Sequence, residues 1–236
     1  MSYSLISTAA EAQQAIRQVA AQRYTAAANR DSERAMYQRA LAQALKGTAP
    51  ESSRSLVVAR CDENVDWLAS IKVSNIFVYN KGTRAVPGLG QNIQLPNVGR
   101  EAHTYFHHIV QNYANLSEVT FFLQGWPFDR SSCVLDGVNN LSNFHFIEFG
   151  SEILETGPVQ EPLRTFWWEV FGTPCPTTPW AFRANSQFGV SRRCIEQLPP
   201  EFYFACMRAC EMGLPNVPVE SMPYLFEQIW GRIFAW

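Results

Sequence analysis

Leu95–Asp129, LPNVGREAHTYFHHIVQNYANLSEVTFFLQGWPFD, decides the fold class, because it reads as one helix feeding one buried strand that ends in a polar loop. Asn97 is placed to cap a helix starting near Val98, and Tyr105, Phe106, Ile109, Val110 and Tyr113 recur at helical spacing. That helix should stop by Asn115. Val119–Leu123 follows as an unbroken apolar run, too short for a helix and suited to a strand covered on both faces. Gln124, Gly125, Trp126, Pro127, Phe128 and Asp129 then leave the strand's carboxyl end, where open α/β sheets hold their ligands.

Working outward, Ser55–Arg60 (SLVVAR) is a first buried strand with the polar cluster Cys61, Asp62, Glu63, Asn64 at its end. Asp62 or Asn64 can cap a short helix over Val65–Ser70. Asn75–Tyr79 is a second strand, followed by a long loop to Pro96. Strand, helix, strand, helix, strand is the order of parallel βαβ units. Downstream, Asn143–Phe149 and Gln187–Ser191 read as strands, and Glu161–Phe171, Pro199–Gly213 and Met222–Phe234 as helices. Upstream, Ser7–Lys46 carries thin apolar stripes that fit two helices with a break near Asn29–Asp31, and Gly47–Ser55 is a linker by composition. The expected architecture is a single α/β domain over 55–236, its central sheet mainly parallel and flanked by helices, preceded by a helical extension over 1–50 that the core can spare.

With 47% hydrophobic and 17% charged residues over 236 positions, the chain can bury a full core. A net charge of -2 supplies no basic field for nucleic acid. The six cysteines form no CxxC, the N-terminus lacks the pattern of a signal peptide, and no transmembrane segment is present, so a reducing, cytoplasmic setting is expected. GxGxxG, P-loop and GxSxG motifs are missing. His103 and His107 share a helix face at a zinc-binding spacing. Without a third ligand they read as hydrogen-bonded helix residues. Cys206 and Cys210 read as buried structural thiols, and the aromatics Phe166, Trp167, Trp168, Trp180 and Phe182 mainly as core.

Six segments in register, VVARCDENVDWL (Val57–Leu68), IFVYNKG (Ile76–Gly82), LPNVGREAHTYFHHIVQNY (Leu95–Tyr113), VTFFLQGWPFD (Val119–Asp129), QFGVSRRCI (Gln187–Ile195) and PYLFEQIWGRIF (Pro223–Phe234), resemble an uncharacterised family. That family is in turn distantly similar to the type-A nucleotide-sugar-dependent glycosyltransferases. This chain departs from its pattern at Cys61 and Asp62 in place of Tyr-Asn, at Arg130 in place of His, and at Gln228, Ile229 and Gly231. It also lacks an acidic DxD, with Gln124–Asp129 at the comparable strand end.

The resemblance implies a glycosyltransferase that moves a sugar from a nucleotide-sugar donor to a glycan or other hydroxyl acceptor. Arg60, Asp62, Glu63, Lys81, Arg100 and Gln124 are then the expected donor contacts, since a diphosphate needs cations or helix N–H dipoles. A divalent cation, Mn²⁺ or Mg²⁺, would be held by Asp129. Asp129 or Glu227 would take the acceptor's proton, and Trp126, Ser191 and Arg192 would contact the acceptor. The alternative is a non-catalytic nucleotide- or carbohydrate-binding module of the same fold. On purely structural grounds, Arg100 and Glu101 would be an exposed first-turn pair, Glu227 a solvated helix position, and Asp129 the cap of a helix near Ser131.

Overall fold

A computed structural model describes residues 8–26, 53–86, 88–129 and 131–234. The expected second N-terminal helix and Arg130 lie outside them. In chain order the elements are α1 (Ala9–Ala26), β1 (Arg54–Arg60), a 3₁₀ turn (Asp66–Ser70), β2 (Asn75–Asn80), β3 (Gln91–Gln94), α2 (Arg100–Asn112), β4 (Val119–Gln124) and α3 (Val134–Asn140). There follow β5 (Phe146–Glu148), β6 (Ile153–Glu155), α4 (Leu163–Phe171), β7 (Ala181–Arg183), β8 (Phe188–Ser191), α5 (Arg192–Ile195), α6 (Pro200–Met212), α7 (Met222–Glu227) and α8 (Trp230–Phe234).

Six strands form one mixed sheet in the order β3-β2-β1-β4-β8-β5, and β6 and β7 form a separate antiparallel hairpin. The pairs β1–β2, β1–β4 and β2–β3 are parallel, with Val57 opposite both Phe77 and Phe122. β8 runs antiparallel to both β4 and β5. The continuous apolar runs follow from burial on both faces, because successive side chains point to opposite sides of a strand. Leu56, Val58, Phe121 and Leu123 enter one core with Val65, Leu68, Val134 and Val138. Val57, Tyr79 and Phe122 enter the larger core with Tyr105, Phe188, Phe226 and Trp230. Phe122 and Phe188 meet across the sheet with ring centroids 5.1 Å apart, near the spacing at which aromatic pairs attract.

The N-terminal helix is more deeply engaged than its thin apolar stripe implies. Ala12 and Ile16 are fully buried, Ile16 belongs to the larger core, and α1 packs on α6 and α4. Arg17 pairs with the buried Glu169 at 3.1 Å, and Gln13 donates to the same carboxylate. A buried carboxylate that draws its partners from α1 weighs against the expectation that the core can spare this segment.

Candidate functional site

The strand order reverses at β1: the chain moves outward to β2 and β3, then returns to lay β4 on β1's other side. The crevice past the carboxyl ends of β1 and β4 is thus a topological switch point, the usual ligand position in such sheets. Asp62, Arg100, Asn185 and Ser186 have φ of 69°, 45°, 89° and 49°, and they are all the left-handed non-glycine residues among those described. Every one lies at this edge: after β1, after β3, or just before β8, whose antiparallel course brings its start here. Such conformations cost about 1–3 kcal/mol each and concentrate where function requires them.

At the β1 end, Arg60 is buried and fully engaged in building the crevice wall. Its Nε donates to the Glu63 carbonyl at 2.8 Å, and its Nη1 to Asn80 Oδ1 at 2.7 Å and the Arg84 carbonyl at 2.9 Å. Asp62 accepts the Arg84 N–H at 2.7 Å, a bond that draws its carboxyl below the ordinary value. A Cβ on Gly82 would lie 2.1 Å from Asp62 Oδ1, so only glycine lets the two loops touch. Glu63 accepts the Cys61 N–H and covers Gly125 so closely that a Cβ there would come within 2.6 Å of Oε2.

Lys81, at the end of β2, is buried, and burial lowers its pKa to about 8. Its ammonium donates to the Val98 carbonyl at 2.6 Å and to the Arg100 carbonyl, pinning the loop into α2. That anchor changes how α2 begins. Left-handed Gly99 (φ 58°) stands at the N-cap, and the Asn97 side chain turns instead to Cys61 Sγ at 3.8 Å. Arg100 remains exposed, its Nη1 donating to the Tyr224 hydroxyl at 2.6 Å with the guanidinium 5.1 Å from that ring.

From β4, Gln124 is half-buried, Trp126 is 46% exposed with its ring 4.8 Å from Phe128, and Asp129 is exposed. Trp67 holds this loop from below by donating to the Gly125 carbonyl at 3.0 Å. The helix beyond starts at Val134 without a side-chain cap, so Asp129 does not serve as one. A divalent ion bound with substrate phosphates takes only one or two protein carboxylates, and Asp129 meets that minimum. Among the described residues no group of three or more His, Cys, Asp or Glu side chains could hold a metal ion. His103 engages Glu211 at 2.9 Å, as the hydrogen-bonded reading of the helix histidines expects.

In the far half of the edge the sequence named Glu227 but missed Glu148 and Gln187. Glu148 ends β5, opposite Phe188 at the start of β8. Burial, with the Glu227 charge adding to it, raises its pKa to about 7 against the pull of the Arg183 N–H and guanidinium. Glu227 accepts the Asn185 N–H, which brings the C-terminal helices to the same edge. Gln187 bridges the halves: its carbonyl accepts the Phe149 N–H at 2.8 Å and its Nε2 donates to the Pro127 carbonyl at 3.1 Å. Ser191 and Arg192 do not join them. Ser191 pairs with Val119 at the start of β4, five strand steps or about 17 Å from the crevice. Arg192 there binds Glu118 at 3.2 Å.

The fold defines a mixed α/β domain whose strand order reverses between β1 and β4. Within it, a DUF3431 domain, described as a protein of unknown function, is found at residues 56–150. That span holds Asp62, Glu63, Arg100, Asp129 and Glu148, whereas Glu227 lies beyond it. No curated protein and no solved structure matches the chain. No helix among the described residues is long and apolar enough to cross a membrane.

Proposed function

We propose that this chain transfers a sugar from a nucleotide-diphosphate sugar to a hydroxyl acceptor at the carboxyl edge of its sheet. One observation carries the reading: the switch-point crevice has two chemically different halves, joined by Gln187. The β1–β4 half offers Arg100, Asp129 and the exposed ring of Trp126, which suit a diphosphate, its cation and a flat base or sugar face. The β5–β8 half offers Glu148 and Glu227, which suit proton transfer from a hydroxyl.

This assignment narrows the donor set. Arg60 and Lys81 are committed to backbone carbonyls, so they hold the crevice in shape and leave the phosphates to Arg100 and the cation. Asp62 accepts the Arg84 N–H of the neighbouring loop and Glu63 the Cys61 N–H of its own, so both help to shape the wall beside Arg60. When bound, a divalent ion on Asp129 would neutralise part of the diphosphate charge.

Thermal unfolding with UDP-glucose, UDP-galactose, UDP-N-acetylglucosamine and GDP-mannose, each with and without Mn²⁺, tests the reading. A ligand at one hundred times its Kd adds about 2.7 kcal/mol of stability. Stabilisation by at least one donor, greater with Mn²⁺, is expected. No stabilisation by any of them would reject nucleotide-sugar binding, and stabilisation without nucleoside diphosphate release would leave a binding module.

A further inference from the structure

We infer that Glu148 is the general base of the transfer, with Glu227 as its positioning partner; this rests on the transferase reading above. The geometry comes first. Glu148 ends β5 at the same edge as Asp129, is half-buried rather than enclosed, and faces Arg183 of β7 and Glu227 of α7. Glu227 is fixed by the N–H of Asn185, a residue held at φ 89° directly before Ser186 at φ 49°. Ser186 is clamped in turn, its Oγ accepting Trp230 Nε1–H at 3.1 Å. Two consecutive left-handed residues thus set one peptide N–H against one carboxylate, an arrangement that fixes Glu227 in place.

Two buried polar groups on neighbouring elements also lack partners among the described residues. Tyr105 is fully buried, its hydroxyl has no hydrogen-bond partner among the described residues, and the charges of Glu101 and Glu227 both act on it. Gln187 is 2% exposed and its Oε1 is likewise unpartnered. Buried polar groups without partners are rare in folded proteins. Tyr105 lies in the larger core against Phe188, and Gln187, one residue earlier in the chain, reaches the Pro127 carbonyl.

The step balances as follows. The acceptor's O–H gives its proton to the Glu148 carboxylate while its oxygen forms a bond to the anomeric carbon. The bond from that carbon to the phosphate oxygen breaks, and the nucleoside diphosphate leaves with the electron pair. Glu148 then releases its proton to water. A base with a pKa near 7 suits this task at neutral pH, since proton-transfer efficiency is greatest when pKa and working pH match.

The test uses the full chain with Mn²⁺ and the four donors named above, water serving as acceptor, and follows nucleoside diphosphate release and donor-induced stabilisation as functions of pH. The wild-type rate is expected to fall on the acid side of about pH 7. Glu148→Gln should keep donor-induced stabilisation, lower release by roughly 10²–10⁴-fold and abolish that acid limb. Glu227→Gln should move the limb to lower pH, which a purely structural role would not do. Unchanged release and an unchanged limb in Glu148→Gln, with the donor still bound, would overturn the assignment while sparing the transferase reading. Failure of every donor to stabilise the wild type would reject both. Should Glu148→Gln fold poorly, Glu148→Asp, which keeps the carboxylate and retracts it by one methylene, must show a reduced rate with the limb retained.

Discussion

Replacing Glu148 by Gln should make the protein more stable at pH 8 and leave its stability nearly unchanged at pH 4. Glu148 has its pKa raised from 4.5 to about 7, chiefly by burial. A carboxyl raised on folding holds its proton more tightly in the folded chain than in the unfolded one. Its favourable contribution is therefore complete below about pH 4.5 and is lost as pH rises through 7. At about 1.4 kcal/mol for each tenfold change in proton affinity, the ionised carboxyl costs about 3 kcal/mol at pH 8. Gln avoids that cost, and because the shift to about 7 already includes the opposing Arg183 N–H bond, a net gain of about 3 kcal/mol is expected. Urea unfolding of both proteins at pH 4, 6 and 8 measures the difference, with comparable slopes confirming that the same surface is exposed. A stability difference that stays flat from pH 4 to 8 would refute the burial argument and, with it, the claim that this carboxyl is tuned for proton transfer.

Arg17→Ala should lower thermal stability by several degrees, because it takes a charged partner from buried Glu169 at a cost of about 1–3 kcal/mol. Deleting residues 1–26 should cost more, since Ile16 leaves the core as well; an unchanged melting profile would show that α1 is dispensable after all. Arg100→Ala should weaken donor binding by about 1.5–3 kcal/mol in titration calorimetry while barely moving the melting temperature, since the contact with Tyr224 is exposed. Asp129→Asn should raise the Mn²⁺ concentration needed for donor binding; a lower rate at unchanged Mn²⁺ dependence would assign it proton transfer instead.

The parts of the fold written locally in the sequence were the legible ones. SLVVAR and VTFFL announce strands buried on both faces, and the spacing of Tyr105, Phe106, Ile109 and Val110 announces α2. QNIQ at β3 gives no such signal, because an edge strand with the single apolar residue Ile93 has little to bury. The antiparallel course of β8 is equally invisible, since period-two patterning carries no direction. Met222–Phe234, expected as one helix, divides into α7 and α8.

The site was legible where position along a strand sufficed and opaque where burial decided. Asp62, Glu63, Gln124 and Asp129 follow strand ends, and the sheet gathers them. Arg60 and Lys81 sit beside them and attract a phosphate assignment, yet their hydrogen bonds run to carbonyls contributed by loops elsewhere. Ser191 and Arg192 fall at the opposite edge because the direction of β8 was hidden. Glu148 is one acidic residue within the apolar NFHFIEF. Its chemistry comes from Arg183 and Glu227, which only the folded chain brings near. The one usable sequence signal was its place at the end of an expected strand.

The most direct test of the account is a crystal structure of the full chain with UDP-glucose and Mn²⁺, or with whichever donor stabilises it best. The account expects the diphosphate over the β1–β4 crevice within hydrogen-bonding reach of Arg100, the ion on Asp129, and the sugar between Trp126 and Glu148. A nucleotide bound at the opposite edge beside Ser191 and Arg192, or one whose sugar lies away from Glu148, would contradict it.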